Sequence, residues 1–556
     1  MNAAASRFAS SREQRALWSV FAVALLAIAA TAWWLFRSRA KLGTDGWFLE
    51  PNAPWPLGAW GLPLAVLLIF GGLAAVSAYD RFHRAKNRSE QVTSMRMSII
   101  ALVLLSLGWN WTLLGPSGTI FGARSGSFNA IAALWSDLAT EYFGVAYQVE
   151  NPRLFSREYA AKWQNPPSAL QAHVATHPPG AVLFYYGVRR LVESSSPLQS
   201  TLTSLAERST GESASVIASQ ANELRFTAAR VANAPQPPPL PLSAVAAALG
   251  VCIVISLMLA LTVPALYGLV AHNTSDDPEA IAVAEARGLI AAALWVLAPT
   301  TGLFAFTLDA VIACGAAWVL WSAAKYFQGG NRGWMIGAGI VLAFTCFLSL
   351  GALTVGAIIA FWAALLRAPH KQWRQLLFDT VWIGSGFFVA WLVILIVFPM
   401  QLPLIIGQGL AAHRMATLTS RTSPAWLGLN FFSFFLFAGW PLIAAFGAQL
   451  LSTVRRRLSE LDVTTSLGLA TLLALLLITF GGSVRGETER LWLPFLAPFC
   501  IVAASWFGSG QAAAKLEDSK SRRWLVPAMA WSVLLLMQAV QTLLMAGTLA
   551  PLVMPL

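Results

Sequence analysis

Five residues stand out as candidates for chemistry within residues 136–180, SDLATEYFGVAYQVENPRLFSREYAAKWQNPPSALQAHVATHPPG, a polar island in a greasy chain. They are Asp137, Glu141, Tyr142, His173 and His177, and a stiff Pro178-Pro179-Gly180 turn closes the segment. Asp137 and Glu141 are four apart, so on a helix they share one face. Two such carboxylates can bind a cation, or one can accept a proton from a substrate hydroxyl. A solvated helix face gives the same spacing. Here, however, Trp135, Tyr142, Phe143 and Tyr147 surround the pair, and an unpaired carboxylate beside apolar surface is costly. His173 and His177 are also four apart, and Pro178 then stops any helix. HxxxH can hold zinc, but a closed site needs further ligands and the HExxH general base is absent. A hydrogen-bonding pair, or contact with an acceptor or phosphate, suits the spacing equally. A divalent cation is the only cofactor these residues suggest.

Further along, Asp309 sits at the turn of a helical hairpin, APTTGLFAFTLDA, where a helix cap and a functional acid look alike. SVRGETERLWLP sets Arg485, Glu487, Glu489 and Arg490 at the edge of an apolar run. Mutual ion pairing would account for them, and so would a phosphate clamp, for which the guanidinium fork is suited. His413, Arg414 and Arg421 add three more cationic or hydrogen-bonding groups before the tenth apolar span.

The elements that must position these residues are membrane helices. The chain has 556 residues, is 57% hydrophobic and only 11% charged, too much apolar surface for a soluble domain to hide. The net charge of +12 lies in short loops between apolar runs. That distribution excludes a nucleic-acid surface and fits the positive-inside pattern beside anionic lipid. Cys252, Cys314, Cys346 and Cys500 all lie within apolar runs and read as buried hydrophobes. Apolar runs at 16–36, 59–79, 97–114, 242–270, 289–305, 308–327, 335–350, 352–366, 377–398, 427–450, 466–481, 490–507 and 524–546 predict an all-α polytopic membrane protein of about 13 crossings, within a range of about 11–14. The first run continues past any small-residue cleavage site and reads as a retained anchor. Runs 335–350 and 352–366 are short, yet merging them would throw Arg455-Arg456-Arg457 and Lys515 to Arg523 onto the outer face, so two crossings are expected. One large outside loop, 115–241, then carries amphipathic helices and a Pro-rich lead, Ala234 to Pro239, into the next span.

Taken in order, the acid after an early span, H-x-x-x-H-P-P-G, the Asp at an outside turn and the late R-G-E-T-E-R-L-W-L-P resemble the GT-C superfamily of integral-membrane glycosyltransferases, in its bacterial branch. The resemblance implies a polyprenyl-phosphate-linked sugar as donor and a glycan, lipid or protein acceptor. It places the enzyme in the bacterial inner membrane, multi-pass, with its active site on the extracytoplasmic side. It makes Asp137 the catalytic base, with Glu141 beside it, and gives Tyr142, His173, His177, Asp309, His413, Arg414, Arg421, Arg485, Glu487 and Arg490 to substrate binding. Two departures stand. The acid follows two extra spans, so residues 1–96 read as an added N-terminal hairpin and 97–556 as the catalytic module. The acidic motif is also D-x-x-x-E rather than an adjacent pair. A transporter or flippase of a lipid-linked glycan would use the same basic residues, although no inverted repeat is evident.

This topology predicts that a membrane-impermeant thiol reagent labels Ser196→Cys in intact cells and leaves Ser519→Cys untouched. The reverse pattern would overturn the orientation.

Overall fold

The computed structural model describes residues 2–38, 41–44, 47–49, 51, 57–81, 88–113, 130–131, 134–135, 141–164, 172–231, 233–271, 278–414, 421–453, 457–482, 484–506 and 522–549. Asp137, Arg455, Ser519 and Lys520 lie outside these residues, as does the side chain of His173.

Long runs of Leu, Ala, Val and Ile with few charges close their own backbone hydrogen bonds only as helices, and lipid permits little else. Among the described residues eight helices are long and apolar enough to cross a membrane: Ala16–Ser38, Gly61–Tyr79, Glu90–Leu113, Ala244–Val270, Leu308–Phe327, Leu350–His370, Trp373–Val397 and Val463–Phe480. Shorter apolar helices at Arg332–Leu348, Leu493–Ser505 and Ala530–Ala546 match three further expected spans. The described β-structure is a single antiparallel pairing of Leu42–Thr44 with Trp47–Leu49. The protein is an all-α, multi-pass membrane protein.

Two expected spans differ from the structure. Residues 289–305 are not one continuous helix. Their helix runs Pro278–Val296 and breaks at Leu297-Ala298, and a short helix, Pro299–Leu303, follows. Pro299 is the cause: it has no N–H to continue the ladder, and it drives Ala298 to extended backbone at φ −71°, ψ 138°. Residues 427–450 are likewise two helices, Trp426–Ala438 and Trp440–Thr453, bent by 111° at Gly439. Gly439 sits at φ +100°, which only glycine adopts readily. Between the expected spans 377–398 and 427–450 lies a further helix, Leu402–His413.

The doubtful pair does resolve into two helices, Arg332–Leu348 and Leu353–Arg367, separated by extended Ser349. The four cysteines are free and buried.

The described residues between 141 and 231 fold into helices that collect at one end of the bundle. Asn151 caps Pro152–Lys162 by accepting from the N–H groups of Arg153 and Leu154. Gly180 starts Gly180–Glu193 with its backbone so close to the Phe347 carbonyl that a Cβ there would overlap it. Arg153 reaches the carbonyl of Ile396, near the end of Trp373–Val397, and Gly302 seats against Leu113. The opposite end is tied by other charges. Arg81 pairs with Glu285, and buried Asp379 accepts from Tyr326 (2.6 Å) and Arg367 (3.0 Å). The N-terminal spans are packed into this bundle: Gly61–Tyr79 lies on Glu90–Leu113, and Trp440 Nε1 donates to Thr31 Oγ1 across 3.0 Å.

Candidate functional site

Four distant stretches of chain meet around Arg490. Thr488–Leu491 is a single turn that follows Gly486 (φ +84°) and Glu487 (φ +57°). Two consecutive left-handed residues reverse the chain sharply, and the second is not glycine. A non-glycine residue there costs on the order of 1 kcal/mol or more and persists only where its surroundings over-determine it. The surroundings do so. Asn430 on Trp426–Ala438 donates to the Val484 carbonyl (2.8 Å) and accepts from the Gly486 N–H (2.9 Å). Its own carbonyl accepts from Thr488 Oγ1 (2.7 Å). Thr300, just past the break in the preceding helix, donates to the Glu489 carbonyl.

The turn aims its side chains into a chain of charges. Arg490 lies between Glu487 (2.9 Å) and Asp309 (3.5 Å), and Glu487 also pairs with Arg421 (2.8 Å). Asp309 is in the first turn of Leu308–Phe327, where the helix dipole favours an anion. Arg421 and Arg485 donate reciprocally, each through Nη1 to the other's carbonyl at 2.6 Å. Arg421 also lies over the Trp426 ring. Side chains of Arg490, Asp309, Glu487 and Arg421 retain 11–18% exposure. The cluster is therefore sheltered but not fully enclosed.

Tyr142 joins this network from the 141–180 segment. It is 2% exposed, stacks on Tyr185 and shares a 2.9 Å hydrogen bond between its hydroxyl and His177 Nδ1. Burial first, then the charge of Asp309, raises its phenol pKa well above the ordinary value, while Arg490 pulls it back. Thr176 Oγ1 contacts the same His177 nitrogen at 2.9 Å, and Tyr159 donates to the carbonyls of Val174 and His177. His177 is thus held by its neighbours in backbone and side chain alike.

The sequence candidates sort as follows. Tyr142, His177, Asp309, Arg421, Arg485, Glu487 and Arg490 come together, and the mutual ion pairing considered for the arginines is present at Arg490 and Arg421. Glu141 is buried (2%) in the turn just before Tyr142–Ala146 rather than on a helix face. His173 and His177 do not share a helix, because Ala172–Ala175 ends between them. His413 and Arg414 end the Leu402–His413 helix, which packs against Ala172–Ala175 and donates from Gln408 to the Ala160 carbonyl. Among the described residues no group of three or more His, Cys, Asp and Glu side chains is placed to hold a metal ion.

Sequence reasoning missed the residues that hold the site. Asn430 and Ser433 are polar positions three apart in a run of Phe and Leu, which is the signal that would have found them. Glu489 accepts from Ser433 Oγ (2.7 Å) and is 6% exposed. Burial lifts its carboxyl from 4.5 to about 7, with Glu487 adding to the rise and Ser433 and Arg490 opposing it.

No protein-family model matches the chain, and no curated protein matches it.

The raised Glu489 carboxyl has a pH signature. The folded state holds this proton more tightly than the unfolded state, so its stabilising contribution is fully present below about 4.5 and is lost as pH rises through about 7. Between those values wild-type stability should fall relative to Glu489→Gln, measured by thermal unfolding in one detergent. Parallel curves would mean that Glu489 titrates normally.

Proposed function

We propose that the protein is a membrane glycosyltransferase that moves a sugar from a polyprenyl-phosphate donor to a hydroxyl acceptor at the extracytoplasmic face. One observation carries this. The Tyr142–His177 pair and the Asp309–Arg490–Glu487–Arg421 chain, drawn from four distant segments, converge at one end of an apolar helical bundle. A lipid-linked substrate reaches such a place sideways from the bilayer while its polar head enters a sheltered, charged centre.

In this reaction the acceptor oxygen attacks the anomeric carbon and the bond from that carbon to the phosphate oxygen breaks. The electron pair leaves with the lipid phosphate, and the acceptor proton passes to a carboxylate. Asp137 is assigned that role, with Glu141 and His177 orienting the acceptor. One base and a phosphate leaving group suffice for inversion. The arginines stabilise the charge that builds on the phosphate, where preorganised donors are worth most. Arg490 does this by exchanging part of its hold on Asp309 and Glu487 for the phosphate.

A second reading draws on the two helix breaks. Transporters bind substrates at discontinuous helices, and a flippase for a lipid-linked glycan would bind the same head group. In this protein Gln and Thr side chains of the chain itself occupy the freed backbone groups at both breaks, which favours a static centre over a transport site.

The test is to incubate purified protein in lipid with a panel of radiolabelled polyprenyl-phosphate sugars and follow transfer of label. Transfer should occur with at least one donor, and Asp137→Asn should slow turnover by about 10²–10⁴ with donor binding little changed. Arg490→Lys and Arg485→Lys are then compared, since lysine keeps the charge but loses the bidentate fork. Arg490→Lys should weaken donor binding more. Movement of label across the bilayer without transfer would contradict the transferase and support the flippase.

A further inference from the structure

The last helix, Arg522–Ala546, carries Gln538, Gln541 and Thr542 in an otherwise apolar run. Spacings of three and four put them on one face, and all three are fully buried. Their hydrogen bonds form a pattern. At the Gly439 bend, the first helix ends and leaves carbonyls open, and the second begins and leaves N–H groups open. Gln541 donates to the Leu436 carbonyl (2.9 Å) and accepts from the Trp440 N–H (2.8 Å). Gln538 donates to the Ala438 carbonyl (2.7 Å) and accepts from the Leu442 N–H (3.3 Å). Between those two donors lies Pro441, which has no N–H, and the next N–H, that of Ile443, reaches the Gly439 carbonyl (3.1 Å). Each glutamine therefore bridges an end and a start, using its oxygen and nitrogen at once. A Cβ on Gly439 would collide with Gln538, so the bend and the glutamine occupy one space.

The same face closes the other break. Thr542 donates to the Leu297 carbonyl, while Thr301 takes the carbonyls of Trp295 and Ala298. Unsatisfied backbone in an apolar interior is costly, and the helix Arg522–Ala546 removes that cost at both breaks. Those breaks place the groups that hold the 484–490 turn. Thr300 follows the first break, and Asn430 and Ser433 lie on the helix that ends at the second.

We propose that Gln538, Gln541 and Thr542 are positioning residues for the charged centre, acting through the two broken helices to hold Thr300, Asn430 and Ser433 against the 484–490 turn. None of them touches the charged side chains. Their effect on the centre is carried by backbone geometry alone.

Gln541 offers a clean test. Gln541→Met keeps size but loses both bonds. Gln541→Glu, in its neutral acid form, has an acceptor and a donor to replace both bonds and should rescue. The readout is the titration of Glu489, followed by the infrared carbonyl band of its protonated acid and assigned by its loss in Glu489→Gln. Ser433→Ala removes the hydroxyl that steadies the carboxylate and so sets the direction, an upward shift of the midpoint. Gln541→Met should move the midpoint the same way, and Gln541→Glu should restore it. Thr542→Val, a milder change, serves in the same assay should Gln541→Met not accumulate. Asp379→Asn is the control, because it loosens the far end of the bundle and should lower the melting temperature without moving the midpoint. A Gln541→Met protein that melts earlier but titrates at the wild-type midpoint would reduce these residues to general packing and overturn the proposal. So would failure of Gln541→Glu to restore it. No donor or acceptor enters the assay, so its outcome is independent of whether the protein transfers sugar.

Discussion

Arg490 is held between Asp309 and Glu487 in a place that is mostly out of water. Taking a guanidinium out of solvent costs several kcal/mol unless carboxylates and hydrogen bonds replace its hydration, and removing one partner then leaves a charge stranded. Asp309 comes from the start of one span, Glu487 and Arg490 from the turn before another, and Arg421 from a loop between them. Their attraction therefore works as a tertiary constraint. The strained backbone at Glu487 follows from it, since the left-handed turn lets that carboxylate meet Arg421 and Arg490 together.

The surrounding apolar structure is bent to serve this arrangement. Straight helices would cost less in lipid, yet the helix before Asp309 breaks just ahead of Thr300, which bonds to the charged turn, and the helix carrying Asn430 breaks at Gly439. Every broken ladder exposes backbone groups, and side chains meet them here: Thr301 locally, and Gln538, Gln541 and Thr542 from the helix Arg522–Ala546. Polar residues on one face of an otherwise apolar helix commonly mark such a tertiary contact.

Much of the architecture was legible in the amino-acid order. Runs of apolar residues give helices because no other backbone closes its hydrogen bonds in lipid, and the separation of Arg332–Leu348 from Leu353–Arg367 followed from the placement of basic residues. Both breaks were harder. Pro299 is a helix breaker by residue type alone, but Gly439 has ordinary apolar neighbours and its bend depends on glutamines a hundred positions away. In the centre, Tyr142, His177, Asp309 and the arginines stand out as polar residues at apolar borders. Asn430, Ser433 and Thr300 do not, because small polar residues inside spans usually bond to their own helix and their cross-chain partners are set only by folding. The histidine pair illustrates the limit of spacing. Four residues apart suggests one helix face, yet the helix stops at Ala175, and His177 is held by Tyr142 and Thr176.

A double-mutant cycle between Asp309 and Arg490 tests the central constraint most directly. Stability of Asp309→Asn, Arg490→Gln and the double variant would be measured by thermal or denaturant unfolding in one detergent. If the pair is a buried tertiary constraint, each single change strands a charge and the double variant loses less than the two losses combined, with a coupling of about 0.5–3 kcal/mol. Strictly additive losses would contradict the account, because two groups that do not depend on each other cannot be what holds these segments together.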